Sequence, residues 1–260
     1  MQWDTIKLEV DRNIAIITLN RPKSMNAFNG QLLAEMTEAL DKCSEDSTVR
    51  VIVIQGARKF FSVGADIIEV GEMNSAFKGF VFLEKAGEVF RKVELHPKPV
   101  IAAIEGLALG GGCELALACD LRLASESAQF GVPEVGIGAF PAGGGTSRLP
   151  RIIGPTRAKE MVFMGERISA HDAYQMGMIN RVFPEDQFKK EVISYTDKLA
   201  KKAPLAIHLA KQSMDHGFSL DNHSSRVIEA LFGGMALGTE DGKEGMKAFY
   251  EKREPVFRGE

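Results

Sequence analysis

Apolar positions in the first 150 residues fall into short runs separated by glycine, proline and charged residues. Residues 6–10 and 14–19 are two strand-like runs joined by Asp11-Arg12-Asn13, which predicts a hairpin. Pro22 ends the second run in a loop that continues to Ala27. Leu32, Leu33, Met36 and Leu40 then recur at helical spacing and predict a helix over 30–43. Residues 49–55 are a continuous β-branched run, the pattern of a buried strand. A loop follows at 60–66, then a segment ending near Met73 and a helix over 76–95 rich in phenylalanine. A strand at 99–104, three glycines (Gly110, Gly111, Gly112) and an apolar helical run from Cys113 to Cys119 repeat the order strand, loop, helix. Short strands at 121–124 and 128–131 precede a glycine-rich loop at 136–145.

Beyond Pro155 the strand runs nearly vanish, and helical patterns follow at 156–164, 170–176, 186–201, 204–216, 221–237 and 240–252. Strands alternating with helices argue an α/β fold followed by a helical extension. Leu231, Phe232, Met235 and Leu237 form an apolar cluster that can pack on the core or on another subunit. We expect two regions, 1–195 and 196–260.

The charge balance removes several classes. A net charge of −3 with no basic run argues against a nucleic-acid partner. No apolar segment of membrane-spanning length is present. Residues 1–4 carry no signal or transit pattern, and the three cysteines, with Cys113 and Cys119 six apart, suit neither a disulfide pair nor a metal pair, so a cytoplasmic setting is expected. The five histidines are scattered without metal-ligand spacing, so no metal is expected.

Two carboxylates stand out. Glu114 lies one turn into the apolar run after the glycines, and Glu134 lies among apolar and glycine residues twenty positions later. Burying a carboxylate is costly, and two acids in apolar surroundings can divide into a neutral acid and an ionised base. The alternative is that each is exposed or paired with an arginine such as Arg122 or Arg148. Two strand–loop–helix passages can also each aim one backbone N–H at a common oxygen, for which Ala65 and Gly111 are the candidates; a purely structural glycine turn is the alternative. Gly138 to Thr146 has no lysine after its glycines and fails as a phosphate loop.

Six motifs in order carry a resemblance: Asn20-Arg21-Pro22 with Asn26-Ala27; Phe61-Ser62-Val63-Gly64-Ala65-Asp66; Gly106 through Glu114; Phe130-Gly131-Val132-Pro133-Glu134; the glycine loop from Pro141 to Leu149; and Lys243-Glu244-Gly245-Met246-Lys247-Ala248-Phe249. Together they make the chain resemble the crotonase (enoyl-CoA hydratase/isomerase) superfamily over essentially its full length. The resemblance implies a core of stacked ββα turns with a C-terminal helical region that builds trimers or hexamers. It implies an acyl-CoA thioester substrate, with coenzyme A as part of the substrate and no separate cofactor.

By the same resemblance, Glu114 and Glu134 are the two catalytic acids of a hydratase, Glu114 acting on water and Glu134 on the proton at Cα. Ala65 and Gly111 are the oxyanion hole. Lys23, Ser24, Met25, Ala27, Val63, Gly64, Asp66, Ile67, Leu109, Gly110, Pro133, Ala142, Phe249 and Lys252 are expected around the substrate and its CoA. Two departures bear on substrate choice: Ile68 stands where hydratases often carry lysine, and Ala142 replaces a glycine whose N–H binds the catalytic water. The rival readings within the superfamily are an isomerase, a cyclic dienoyl-CoA hydratase or a ring-opening hydrolase. Outside catalysis they are an RNA-binding protein or a subunit of a larger complex.

Overall fold

In the computed structural model, which describes residues 3–57 and 59–260, a first hairpin lies in one sheet and the next three turns of the chain each lay one strand in each of two sheets before a helix returns it. Met1 and Gln2, part of the stretch expected to lack a leader, lie outside the described residues. The hairpin forms as predicted: β1 (Ile6–Asp11) and β2 (Ile14–Leu19) are antiparallel, Arg12 and Asn13 both adopting positive φ at the turn. A 3-10 turn at Pro22–Ser24 leads to α1 (Gly30–Glu45), capped by the Asn29 side chain. Then come β3 (Val51–Gly56), β4 (Phe60–Ser62), α2 (Ile67–Gly71) and α3 (Ala76–Glu94). The next turns are β5 (Val100–Ile104), β6 (Leu107–Leu109) and α4 (Gly111–Ala118), then β7 (Leu121–Ser125), β8 (Gln129–Gly131) and α5 (Gly145–Ile153). After α6 (Pro155–Met164), the short β9 (Ile168–Ser169) and β10 (Arg181–Phe183) flank α7 (Ala170–Gln175). The chain ends in α8 (Phe188–Ala200), α9 (Pro204–Gly217), α10 (Asn222–Gly238) and α11 (Glu240–Glu251).

The larger sheet has the order β1-β2-β3-β5-β7-β10, parallel except for the first pair. The smaller has the order β4-β6-β8-β9, with only β8 and β9 antiparallel. Residues 60–62 and 107–109 therefore form strands, where the hydrophobic pattern alone marks a loop and a passage before the glycines. Three residues are too few to show a two-residue period, and their pairing partners, β4 with β6 and β6 with β8, lie far along the chain. Likewise α5 begins inside the glycine-rich stretch, and β9 and β10 carry both sheets into the region that reads as helical. The expected division at 195/196 falls inside α8, whose Phe188, Val192 and Ala200 pack against Ile14, Val51, Val53 and Ile101 of the larger sheet.

The main core fills the space between the sheets and α1, α3 and α4, with Phe28, Phe61, Phe90 and Phe130 wholly buried. By contrast α10 buries none of its residues, and Leu231, Met235 and Leu237 stand exposed. Among the described residues, no helix is long and apolar enough to cross a membrane.

One buried side chain ties the loop after β2 to the start of β4. Asn26 accepts the Arg21 N–H at 3.0 Å through Oδ1, and its Nδ2 donates to the carbonyls of Phe60 (2.8 Å) and Phe61 (3.2 Å). The Asn26 carbonyl in turn accepts the Ser62 hydroxyl at 2.8 Å. Removing the amide leaves buried backbone groups without partners, each costing about 1–3 kcal/mol. Asn26→Ala is therefore expected to lower the unfolding free energy by about 2–4 kcal/mol in urea denaturation; a change within experimental error would show that the loop is held by other contacts.

Candidate active site

The glycine turn between β6 and α4 needs a left-handed backbone. Gly110 has φ +52°, and Gly111 opens the helix, so its N–H lies in the first turn, where no intrahelical acceptor is available. The loop after β4 runs alongside. Gly64 has φ +93°, and a Cβ there would stand 2.8 Å from the Gly111 nitrogen, so only glycine allows this approach. Phe28 forms a parallel bridge with Ala65 by donating to the Gly64 carbonyl (2.7 Å) and accepting from the Asp66 N–H (2.8 Å). Both bonds use the residues on either side of Ala65, which leaves the Ala65 N–H directed away from Phe28. The N–H groups of Ala65 and Gly111 thus belong to two backbone segments in van der Waals contact, and neither donates a hydrogen bond among the described residues.

Glu114 sits in the first turn of α4, a helix buried from Gly112 to Ala118, and is itself only 4 % exposed. Its Oε1 accepts the Gly145 N–H at 2.7 Å. The Gly143 N–H also favours the charged form, and a Cβ on Gly143 would stand 2.7 Å from Oε2. Burial outweighs these donors, and repulsion from Glu134 adds to it, so the carboxyl is pushed up to about 7. Glu134 lies in the 3-10 segment Pro133–Ile137, with Oε1 about 3.1 Å from where a Cβ on Gly110 would be. Burial raises its pKa as well, opposed by its own backbone N–H. Its Oε2 is, among the described residues, the one buried side-chain oxygen or nitrogen without a hydrogen-bond partner. An unsatisfied buried oxygen beside a strained glycine turn marks a place kept for chemistry rather than stability.

The arginine-pairing alternative does not hold. Arg122 spends its side chain on the carbonyls of Met178 (2.6 Å), Cys119 (2.6 Å) and Ala116 (3.3 Å), closing the C-terminal end of α4. Arg148 pairs with Glu94, Nη2 to Oε2 at 2.7 Å, and donates through Nη1 to the Gly143 carbonyl at 3.1 Å. It therefore braces the loop that holds Glu114 instead of neutralising the acid.

The other expected residues divide into three groups. Lys23, Ser24, Met25 and Ala27 on the first loop meet Val63 to Ile67 on the second: the Val63 N–H donates to the Met25 carbonyl at 3.3 Å, beside the two Phe28 bonds. Asp66 is engaged within the chain, capping α2 through the Ile68 N–H (3.1 Å) and pairing with Arg21 (2.9 Å). Ile67 and Ile68 project outward, more than three-quarters exposed. Gly110 packs against Glu134, and Leu109, Pro133 and Ala142 are the chain neighbours of Gly110, Glu134 and Gly143. Phe249, 82 % exposed, and Lys252 sit at the end of α11, and no hydrogen bond or ion pair joins them to the loops carrying the other candidates. The sequence reading did not single out Gly143 and Gly145 as donors to Glu114, or Glu94 as the partner of Arg148. The signal for the first was the glycine run 143–145 itself; the second had none. Among the described residues, no group of three His, Cys, Asp or Glu side chains is placed to hold a metal ion.

A wound ββα core with two adjacent backbone donors, a buried carboxylate (Glu114) and a half-buried one (Glu134) whose charge raises the first is equipment for acid–base chemistry beside a carbonyl oxygen. Residues 9–260 match the family Enoyl-CoA hydratase/isomerase. The chain is 41% identical over 254 residues to a short-chain-enoyl-CoA hydratase of Clostridium acetobutylicum, covering 97% of each protein. It is 40% identical to a crotonyl-CoA hydratase of Syntrophomonas wolfei, covering 99% of each. A crystal structure of an enoyl-CoA hydratase from Bacillus anthracis superposes with a TM-score of 0.95 at 37% identity, over 99% of this chain and 100% of that one. The chain belongs to the enoyl-CoA hydratase/isomerase family.

The Glu114 environment has a consequence for stability. Its ordinary value is 4.5 and its folded value about 7, so the folded state holds the proton more tightly. Its contribution is fully favourable below about pH 4.5 and is lost as pH rises through about 7. Glu114→Gln removes this titration while keeping an acceptor for Gly145. Relative to wild type it is expected to gain on the order of 3 kcal/mol between pH 5 and pH 8. Denaturation curves at both pH values test this, and a pH-independent difference would refute it.

Proposed function

We propose that this protein is an enoyl-CoA hydratase, adding water reversibly across the 2,3 double bond of a 2-enoyl-CoA thioester. The Ala65 and Gly111 N–H groups receive the thioester oxygen, whose negative charge grows as water attacks. Glu114, ionised, takes a proton from water as its oxygen bonds to Cβ. Glu134 delivers a proton to Cα as the enolate collapses. Coenzyme A enters as part of the substrate, and the reaction needs no separate cofactor.

The observation that carries this reading is the unpartnered Oε2 of Glu134 beside the glycine turn, with Glu114 close enough to raise its own proton affinity through Glu134's charge. A carboxyl held near 7 exists in both forms at neutral pH, as a group that gives and takes a proton in turn requires. The core and the C-terminal helices work together in a cytoplasmic homotrimer or hexamer. The bare apolar face of α10 supports assembly through that helix. The nucleotide end of CoA lies along Lys23 to Ala27, with Phe249 and Lys252 reached from the C-terminal helix.

Loss of the conjugated enoyl absorbance of crotonyl-CoA tests the reading. Wild type is expected to hydrate it, and Glu114→Gln and Glu134→Gln to fall by roughly 10² or more in kcat. The kcat/KM profile is expected to fall below about pH 7 as Glu114 gains its proton. Absence of hydration in wild type that still binds CoA would replace this reaction by isomerisation or by a cyclic substrate.

A further inference from the structure

The Arg148 side chain lies in the wall between two cavities. The smaller, of about 380 Å³, is lined by Phe80, Leu83 and Gly87 of α3 and by Ala142 and Gly143. Because Glu114 Oε2 packs against Gly143, this cavity lies beside one of the two carboxylates. The larger, of about 780 Å³, is walled by Leu95, Leu117, Ile152, Met214 and Phe218. Three side chains line both: Arg91, Glu94 and Arg148.

Glu94 and Arg148 are joined by a two-pronged ion pair, Nε to Oε1 at 3.2 Å and Nη2 to Oε2 at 2.7 Å. The third prong, Nη1, donates to the Gly143 carbonyl, and the guanidinium packs so closely that a Cβ on Gly144 would overlap Nη1. The Arg148 side chain is only 12 % exposed. Parting such a pair leaves a nearly buried cation without its carboxylate, a strongly unfavourable state. An alkyl chain offers no hydrogen bond in exchange. Beyond the pair, however, the apolar side chains of the larger cavity, whose wall also carries Asp120, Arg122, Arg151, Lys211 and Asp215, would favour each methylene that reached them.

We propose that the Glu94–Arg148 ion pair is a chain-length stop: the acyl chain runs into the smaller cavity, ends against the pair, and is denied the larger cavity behind it. This inference rests on the enoyl-thioester reading above. Phe80 and Leu83 form the apolar side of the first cavity, so short and medium chains find burial there and longer ones do not. Glu94 is a specificity-determining residue in this account, acting through the position of Arg148.

The test is the kcat/KM of straight-chain 2-enoyl-CoA thioesters from four to sixteen carbons, for wild type, Glu94→Ala and Gly87→Phe. Glu94→Ala removes half of the partition. It is expected to raise the ratio of long-chain to crotonyl kcat/KM by about tenfold or more, since a buried methylene is worth roughly fourfold. Gly87→Phe acts in the opposite sense. Gly87 lines the smaller cavity and a Cβ there meets nothing within 4 Å, so a ring at this position has room to occupy it, and the preference is expected to shift to shorter chains. A uniform loss across all lengths in Glu94→Ala, with the ratio unchanged, would mean that the pair only braces the 141–145 loop and would overturn the proposal. An unchanged profile in Gly87→Phe would remove the acyl chain from this cavity and overturn it independently. Failure of wild type to hydrate any of these thioesters would instead overturn the enzyme reading, and this inference with it.

Discussion

The arrangement depends on one close approach of backbone to backbone. The loop after β4 lies against the glycine turn before α4 so tightly that a Cβ on Gly112 would be 2.2 Å from the Ser62 carbonyl oxygen. Only glycine permits this. From that contact follow the adjacency of the Ala65 and Gly111 N–H groups, the aim of α4, and the depth at which Glu114 is set. The Ser62 hydroxyl, bonded to the Asn26 carbonyl, fixes the same loop from its other side. The two turns of the wound core are thus locked at the point where their loops meet.

Around this contact the molecule accepts an electrostatic cost. Two carboxylates are placed where burial favours their neutral forms, and among the described residues neither forms an ion pair with an arginine, Arg148 acting on Glu114 only from a distance. The nearby cations are assigned elsewhere: Arg122 to the end of α4, Arg148 to Glu94 and the Gly143 carbonyl. Glu114 receives backbone donors instead, which orient it without holding it fully ionised. Glu134 keeps one oxygen unmatched. A stable protein has little reason to leave two acids in this state, whereas proton transfer near neutral pH requires it.

The helix α3 connects this chemistry to its surroundings. Its Phe90 and Val93 belong to the core, its exposed Phe80 and Leu83 edge the smaller cavity, and its Glu94 reaches Arg148. One element therefore supports the site, shapes the space beside it and closes that space.

The hydrophobic pattern by itself determined the hairpin, α1, α3, the three central strands of the larger sheet and the helical C-terminal part, because each is long enough to show its period. It also marked Glu114 and Glu134, since a carboxylate among apolar residues is visible without coordinates, and the ordered motifs identified the family. Of the second sheet only β8 was readable, as the short run at 128–131; β4 and β6 have three residues each, too few for a period, and exist only because distant strands pair with them. Nor could the sequence show which groups the acids would meet. Arg122 and Arg148 were equally plausible partners by composition, and only the folded chain sends one to backbone carbonyls and the other to Glu94. Backbone donors such as Gly143 and Gly145 leave no side-chain trace. Hydrophobic periodicity is a local property of the chain, whereas pairing, burial and the direction of an N–H are set by residues far apart in sequence, and these the tertiary structure alone decided.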